Sequence, residues 1–490
     1  MEKSGKQNDY IYLKLNIMAY KEKITFGLIV GTRNIFNADL AKQARKDLLS
    51  KLDGLGYDYV ILPEDQTPTG SIETYQDAKK CADLFIQNRD KIDGIIVVLP
   101  NFGDELGIIN TLQKASLDVP VLVQACDDEN DKVDVNSRRD AFCGKISVCN
   151  NLYQYGIPFT NTKYHTYKLT SEHFDEDLDR FERICRVVGG LRNARIGAIG
   201  TRPAAFQTMR SSEKLLQASG ITVVPVDMSE IIAAAQKMEA SSNQVKQKIK
   251  EIRDYGKIPS GIKEEQISRQ ARLSLAIEEW IAENEVDIAA IQCWESIEKN
   301  FGCAACLTMS MLGEKLIPCA CEMDITGAIS MYALALASGT PSALLDWNNN
   351  FGEDRDMCVC THCSNYPKSF FQNDIEVSTL DILGTVLGHE DTFGAVKGKV
   401  KAGPMTFFRV STDDYFGTIK AYTGEGDITD DEYNMDGGIA VCRINNLQEL
   451  MNFICKNGFE HHVGMGRGHI AGVLTEAIGN YLGWELYVHE

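Results

Sequence analysis

From Ile24 onward, continuous apolar runs alternate with segments whose apolar residues recur three and four positions apart. Ile24–Val30 is a run of buried-strand length, Asp39–Leu52 carries helical spacing, and Tyr59–Leu62 is a second short run. The alternation continues through a helix over Asp77–Gln87, a strand over Gly94–Leu99, a helix over Glu105–Ala115 and a strand over Val119–Gln124. Strands that are apolar on both faces and separated by helices belong to parallel sheets covered by helices on both sides.

A second series begins at Arg195–Ile199, with a helical segment over about Arg210–Ala218 and a strand at Thr222–Val226. Charged helical sequence fills Ser229 to Glu285, and buried runs follow at Val286–Ile291 and Leu316–Cys321. Beyond Gly352 the texture changes: Gly384–Tyr422 is glycine-rich and alternates β-type residues, notably over Pro404–Val410 and Thr418–Tyr422, which predicts a largely antiparallel unit. Leu447–Leu482 is helical in pattern, with glycines interrupting it around Gly458–Gly468.

The expected fold is therefore α/β: two Rossmann-like doubly wound parallel-sheet domains and a smaller, mostly antiparallel C-terminal β unit. The expected boundaries are an N-terminal extension over 1–22, an α/β domain over 23–165, a central α/β domain over 166–352 and a β-rich domain over 353–490 whose terminal helix carries the histidine pair His461-His462. At 490 residues several cores are expected, because single cores stop growing near ~250–300 residues.

Hydrophobic residues make up 44% of the chain and charged residues 24%, an ordinary globular balance. The formal net charge of −19 disfavours nucleic acid or an anionic membrane as the main partner, since both select a cationic footprint. The polar N-terminal stretch has no signal-peptide core and no run reaches ~20 apolar residues, so the expected location is cytoplasmic. Fifteen cysteines include the clusters Cys303-x2-Cys306, Cys319-x-Cys321 and Cys358-x-Cys360-x-His362-Cys363. Only the first has the spacing of a zinc knuckle, so small buried thiols are the preferred reading.

Ligands of open parallel sheets settle beyond the carboxyl ends of the strands, which makes the first polar residues after each buried run the ones to inspect. Val286–Ile291 runs into Gln292-Cys293-Trp294-Glu295-Ser296, and Leu316–Cys321 runs into Glu322-Met323-Asp324-Ile325-Thr326-Gly327. Glu322 and Asp324 share a face if the extended backbone persists. Asp324 or Thr326 also fits the cap of the helix that follows, and Glu295 also fits a solvent-exposed position. A third element is His461-His462 within Gly458-Phe459-Glu460-His461-His462-Val463-Gly464-Met465-Gly466-Arg467-Gly468-His469. Imidazole and carboxylates together suit a Mn²⁺-type ion with positions open to sugar oxygens.

The combination of Glu295 at a strand end, the Glu-Met-Asp-Ile-Thr-Gly segment at 322–327 and the histidine pair resembles the L-fucose/L-arabinose isomerase superfamily, in its fucose-isomerase-like branch. Thr201-Arg202-Pro203-Ala204-Ala205-Phe206-Gln207-Thr208-Met209-Arg210, Thr361-His362-Cys363-Ser364-Asn365-Tyr366-Pro367 and Gly403-Pro404-Met405-Thr406 extend the resemblance over most of the chain. It implies a divalent cation, usually Mn²⁺, held by Glu295, Asp324 and His462, with the two carboxylates also moving protons. Glu322 rivals Asp324, and His461 rivals His462. Trp294 and His362 are possible substrate contacts, and a trimer or hexamer is implied.

Moving a carbonyl from C1 to C2 of an open-chain sugar needs a base for the carbon-bound proton, an acid for the hydroxyl proton and a Lewis acid on the vicinal oxygens. Arg202 and Arg210 follow a strand end where the anionic group of an acidic or sulfonated hexose could sit, and pairing with a structural carboxylate is the plainer reading. The rival function is a non-catalytic sugar-binding or sensing protein of the same α/β architecture. Neither GxxxxGK[ST] nor GxGxxG follows an early strand, which leaves a nucleotide-dependent enzyme without a phosphate loop.

Overall fold

The computed structural model describes residues 23–363, 365–435 and 437–490. The extension expected over 1–22 lies outside the described residues. The chain divides into two compact units, one running to Gly189 and taking back Glu476–Gly483, the other holding Gly190–Thr475 and Trp484–Glu490.

The first unit is built on five parallel strands, β1 (Thr25–Val30), β2 (Asp58–Ile61), β3 (Gly94–Leu99), β4 (Val121–Ala125) and β5 (Thr160–Asn161), in the order β2-β1-β3-β4-β5. Every residue of β3 and β4 is buried, as expected for strands covered on both faces. Tyr481, returned from the far end of the chain, bonds Thr160 Oγ1 at 2.8 Å and Val121 O at 3.1 Å.

The second unit carries two sheets. Parallel strands β6 (Arg195–Ile199), β7 (Thr222–Val226), β8 (Ile288–Ile291) and β9 (Cys319–Ala320) run in the order β7-β6-β8-β9. The nine other strands are β10 (Ala343–Phe351), β11 (Asp354–His362), β12 (Glu376–Thr379), β13 (Phe393–Lys399), β14 (Gly403–Asp413), β15 (Thr418–Ile428), β16 (Gly438–Arg443), β17 (His462–Arg467) and β18 (Glu485–Val488). They form one sheet, mostly antiparallel, with β13–β16 and β15–β18 parallel. The fold is thus the α/β type expected, two parallel sheets and a larger mixed one. β10 joins the mixed sheet although its sequence lies in the expected central domain.

His462 opens a strand and His461 stands just before it, in place of the helix expected from their surroundings. Val463 and Met465 alternate with Gly464 and Gly466, a period of two, and β17 pairs with both β10 and β14. A Cβ on Gly464 would meet Leu334 Cδ1 and Phe408 O at 3.0 Å. The glycines that read as helix breaks instead let the helix Ile325–Ser338 pack closely on the strand.

Candidate active site

Three chain segments meet in the second unit. The first is the turn after β9, where Glu322 and Met323 stand at φ 60° and 59°, in the left-handed region. Two such non-glycine residues in succession are costly, about 1–3 kcal/mol each, and positions of this kind cluster where a side chain must be aimed. Met323 N–H donates to Ile291 O at 3.3 Å and Asp324 N–H to Cys321 O at 3.0 Å, which fastens the turn to the strand ends. Asp324 then caps the helix Ile325–Ser338, accepting Gly327 N–H at 2.8 Å.

The second segment is the start of β17, and the third is the end of β11 with the facing part of β10. His462 is fully buried, with Nδ1 2.8 Å from Asp324 Oδ2. Its Nε2 lies 3.2 Å from His362 Nε2, 3.4 Å from Asp346 Oδ1 and 3.6 Å from Glu322 Oε2. Asp346 and His462 are register partners across β10 and β17. Two donor groups, Glu322 with His362 and His462, and Asp346 with His461 and His462, each fall within 4.8 Å.

The electrostatics divide these groups by role. Burial would raise the Asp324 carboxyl, but the Arg409 guanidinium and His462 outweigh it and hold the group far below the usual carboxylate range. Burial also opposes a charged His462, yet the hydrogen bond and charge of Asp324 raise it. Glu322 is pushed up to about 7 by burial and by the neighbouring acids Asp346 and Asp324, against the pull of His462. His362 is lowered to about 4, mainly by burial. Its Nδ1 accepts Cys363 N–H at 2.8 Å, so the neutral ring carries its proton on Nε2.

Glu322 Oε2 and Asp346 Oδ1 are buried and have no hydrogen-bond partner. Buried carboxylate oxygens rarely go unsatisfied, and here both face His462 Nε2. Carboxylate oxygen with imidazole nitrogen suits a divalent cation of the Mn²⁺ kind.

The remaining sequence candidates fall elsewhere. Glu295 is not brought into this cluster: its side chain is 45% exposed and pairs with Lys299. It follows Trp294 through a cis peptide bond, and Trp294 packs edge-on against Phe206 at 5.6 Å. His461, 46% exposed, lies 3.8 Å from Asp346. Arg202 donates from Nη1 to the carbonyls of Pro203, Ala204 and Phe206, and Arg210 from Nε to Gln207 O, so both serve their own loop and not the structural carboxylate of the plainer reading. The cysteines are free thiols, mostly buried.

Asp346 and Arg409 were not singled out from the sequence. Asp346 follows the apolar run Ala343-Leu344-Leu345, an acid after a buried run as Glu322 is, although β10 continues past it to Phe351. Arg409 lies within an apolar strand, Phe407-Phe408-Arg409-Val410, and a cation buried there implies an acidic partner.

Comparisons with known proteins bear on the family of the chain. Residues 27–192 match the fucose/sulfoquinovose isomerase N-terminal domain, and residues 360–489 match the L-fucose isomerase C-terminal domain. Similar proteins include a sulfoquinovose isomerase of Priestia megaterium (strain ATCC 12872 / QMB1551), 24% identical over 93% of this chain and 97% of that protein. A sulfoquinovose isomerase of Alkalicoccus urumqiensis is 26% identical over 61% of this chain and 66% of its own length. The chain belongs to the fucose-isomerase-like family of sugar isomerases, enzymes that interconvert aldoses and ketoses.

Proposed function

We propose that this isomerase is metal-dependent and acts on an open-chain hexose bearing an anionic group, a sulfonated hexose above all. The observation that carries the metal dependence is the pair of buried, unpartnered carboxylate oxygens of Glu322 and Asp346 facing His462 Nε2. Glu322 and His462 hold the cation in this reading, and Asp346 adds negative charge beside them. A divalent ion there, Mn²⁺ by preference, supplies Lewis-acid stabilisation of the charge that develops on the sugar's vicinal oxygens.

Asp324, which the family resemblance would make a metal ligand and proton carrier, is read instead as the group that orients His462. Its two oxygens already serve Arg409, His462 and the helix cap, and its lowered pKa makes it a weak proton acceptor. Proton work then falls to other residues. Glu295, which follows strand β8 and pairs with Lys299 outside the cluster, is assigned the carbon-bound proton between C1 and C2, a role that requires it to leave Lys299 and turn to the sugar. His362 presents its Nε2–H to a sugar oxygen and excludes water from the buried side.

Support for an acidic sugar comes from the relatives' names, all sulfoquinovose isomerases, and from Arg202 at the end of β6, where a guanidinium suits a sulfonate. A homo-oligomer, trimer or hexamer, accords with the family resemblance. Incubating the Mn²⁺-loaded protein with sulfoquinovose, glucose and fucose and separating aldose from ketose tests the reading. Conversion of the sulfonated sugar in clear preference is expected, and equal or better conversion of the neutral sugars overturns the substrate assignment.

A further inference from the structure

One face of β11 carries thiols that the isomerase reading does not use. Side chains two apart along a strand share a face, so Cys358 and Cys360 point the same way, and their sulfurs lie 3.8 Å apart. On β16, Cys442 is the direct antiparallel partner of Cys358, and Ala440 is that of Cys360. Cross-strand partners also share a face, which brings a third thiol to the same patch from 84 positions along the chain. All three are buried, in a core with Tyr366, Phe371 and Phe407. Hydrogen bonds from Cys360 and Cys442 hold the Cys358 thiol below its usual range against the effect of burial.

Thiolate sulfur selects soft cations. Three sulfurs in a plane around one ion, each ~2.3 Å from it, stand ~4 Å from one another, and the Cys358–Cys360 separation is already close to that. The register fixes the Cys442 backbone opposite Cys358, so a turn of its side chain completes the triangle. A tetrahedral Zn²⁺ needs a fourth donor. The fourth corner of the patch is Ala440, which offers none, and His362, next in the row after Cys360, has both ring nitrogens engaged. Three thiolates without a fourth ligand suit a monovalent d¹⁰ ion. Cys358, at 6% exposure the least enclosed of the three, is where such an ion enters.

We propose that Cys358, Cys360 and Cys442 form a binding site for a soft monovalent cation, Cu(I), separate from the Glu322–His462 pair and tying β11 to β16. As each sulfur–copper bond forms, the thiol proton it replaces passes to solvent.

The test titrates the reduced, metal-free, full-length protein with Cu(I) under anaerobic conditions against a chromogenic Cu(I) chelator. The wild type is expected to hold one ion per chain against the chelator. Cys358→Ala, Cys360→Ala and Cys442→Ala are each expected to weaken it by at least ~100-fold, beyond the ~10–100-fold typical of losing a mere outer partner. Cys303→Ala, in the pair with zinc-knuckle spacing, is the control and is expected to keep wild-type affinity. X-ray absorption at the copper edge should show three sulfurs at ~2.3 Å. Cu(I) should also raise the melting temperature of the wild type and not of the three variants. No ion retained by the wild type, wild-type affinity in any folded variant of the three, or loss in Cys303→Ala would overturn the proposal. If an alanine variant fails to fold, the ligand set of the wild type decides, and nitrogen or oxygen ligands there, or only two sulfurs, would overturn it equally.

Discussion

His462 and Asp324 are held together at 2.8 Å in a fully buried contact between the start of β17 and the cap of the helix Ile325–Ser338. One carboxylate thus does two jobs, capping a helix and orienting an imidazole, and the two jobs fix each other's geometry. Replacing Asp324 by asparagine retains a cap of similar quality and removes the charge. Expected is a folded protein whose kcat/KM for the sugar falls at least about tenfold at limiting Mn²⁺, the lower end for an outer partner of a metal ligand. Steady-state kinetics across a Mn²⁺ titration would show it, and an unchanged titration curve would contradict it.

The role proposed for Glu295 is testable apart from metal binding. Glu295→Gln is expected to keep Mn²⁺ affinity within about threefold while kcat drops by roughly 10²–10⁴, the range for a lost general base. The wild-type reaction run in D₂O should place solvent deuterium on the carbon that receives the proton. Product free of deuterium would point to a hydride shift and leave Glu295 without this role.

The role proposed for Arg202 in the choice of sugar is tested by its removal. A charge-assisted hydrogen bond contributes about 1.5–3 kcal/mol, so Arg202→Ala is expected to raise KM for a sulfonated hexose by roughly 10–100-fold. KM for a neutral hexose should hold within about twofold. Equal effects on both substrates would assign Arg202 to its loop alone, where Nη1 already bonds three carbonyls.

Stability should carry the mark of Glu298, a carboxyl 2% exposed in which neither oxygen has a hydrogen-bond partner. Burial is the main cause of a rise from 4.5 to about 8. The folded state therefore holds a proton that the unfolded chain releases, and stability is lost as pH climbs through that window, by up to ~1.4 kcal/mol per unit. Glu298→Gln is expected to match the wild type near the bottom of the window and to melt at a higher temperature near its top. A difference between the two that does not change with pH would contradict this.

Much of the frame was legible in the sequence. Gly94–Leu99 and Arg195–Ile199 are strands at the positions their apolar runs predict, because burial on both faces leaves a continuous signal. Glu322, Asp324 and His462 were readable as neighbours of one site, the first two from their place at a strand end. What local pattern could not supply was pairing. The strand at His462 was masked by glycines whose purpose is a close helix contact made by residues more than a hundred positions away. The contact of Asp324 with Arg409, 85 residues distant, is likewise a pairing that no local pattern carries.

The most direct measurement follows sulfoquinovose turnover as the metal is removed and returned. Protein stripped with a chelator and freed of it is expected to lose conversion, to regain it on titration with Mn²⁺, and not to regain it in the Glu322→Gln and His462→Gln variants. Full turnover by the stripped wild type, or full recovery in either variant, would contradict a cation held between Glu322 and His462.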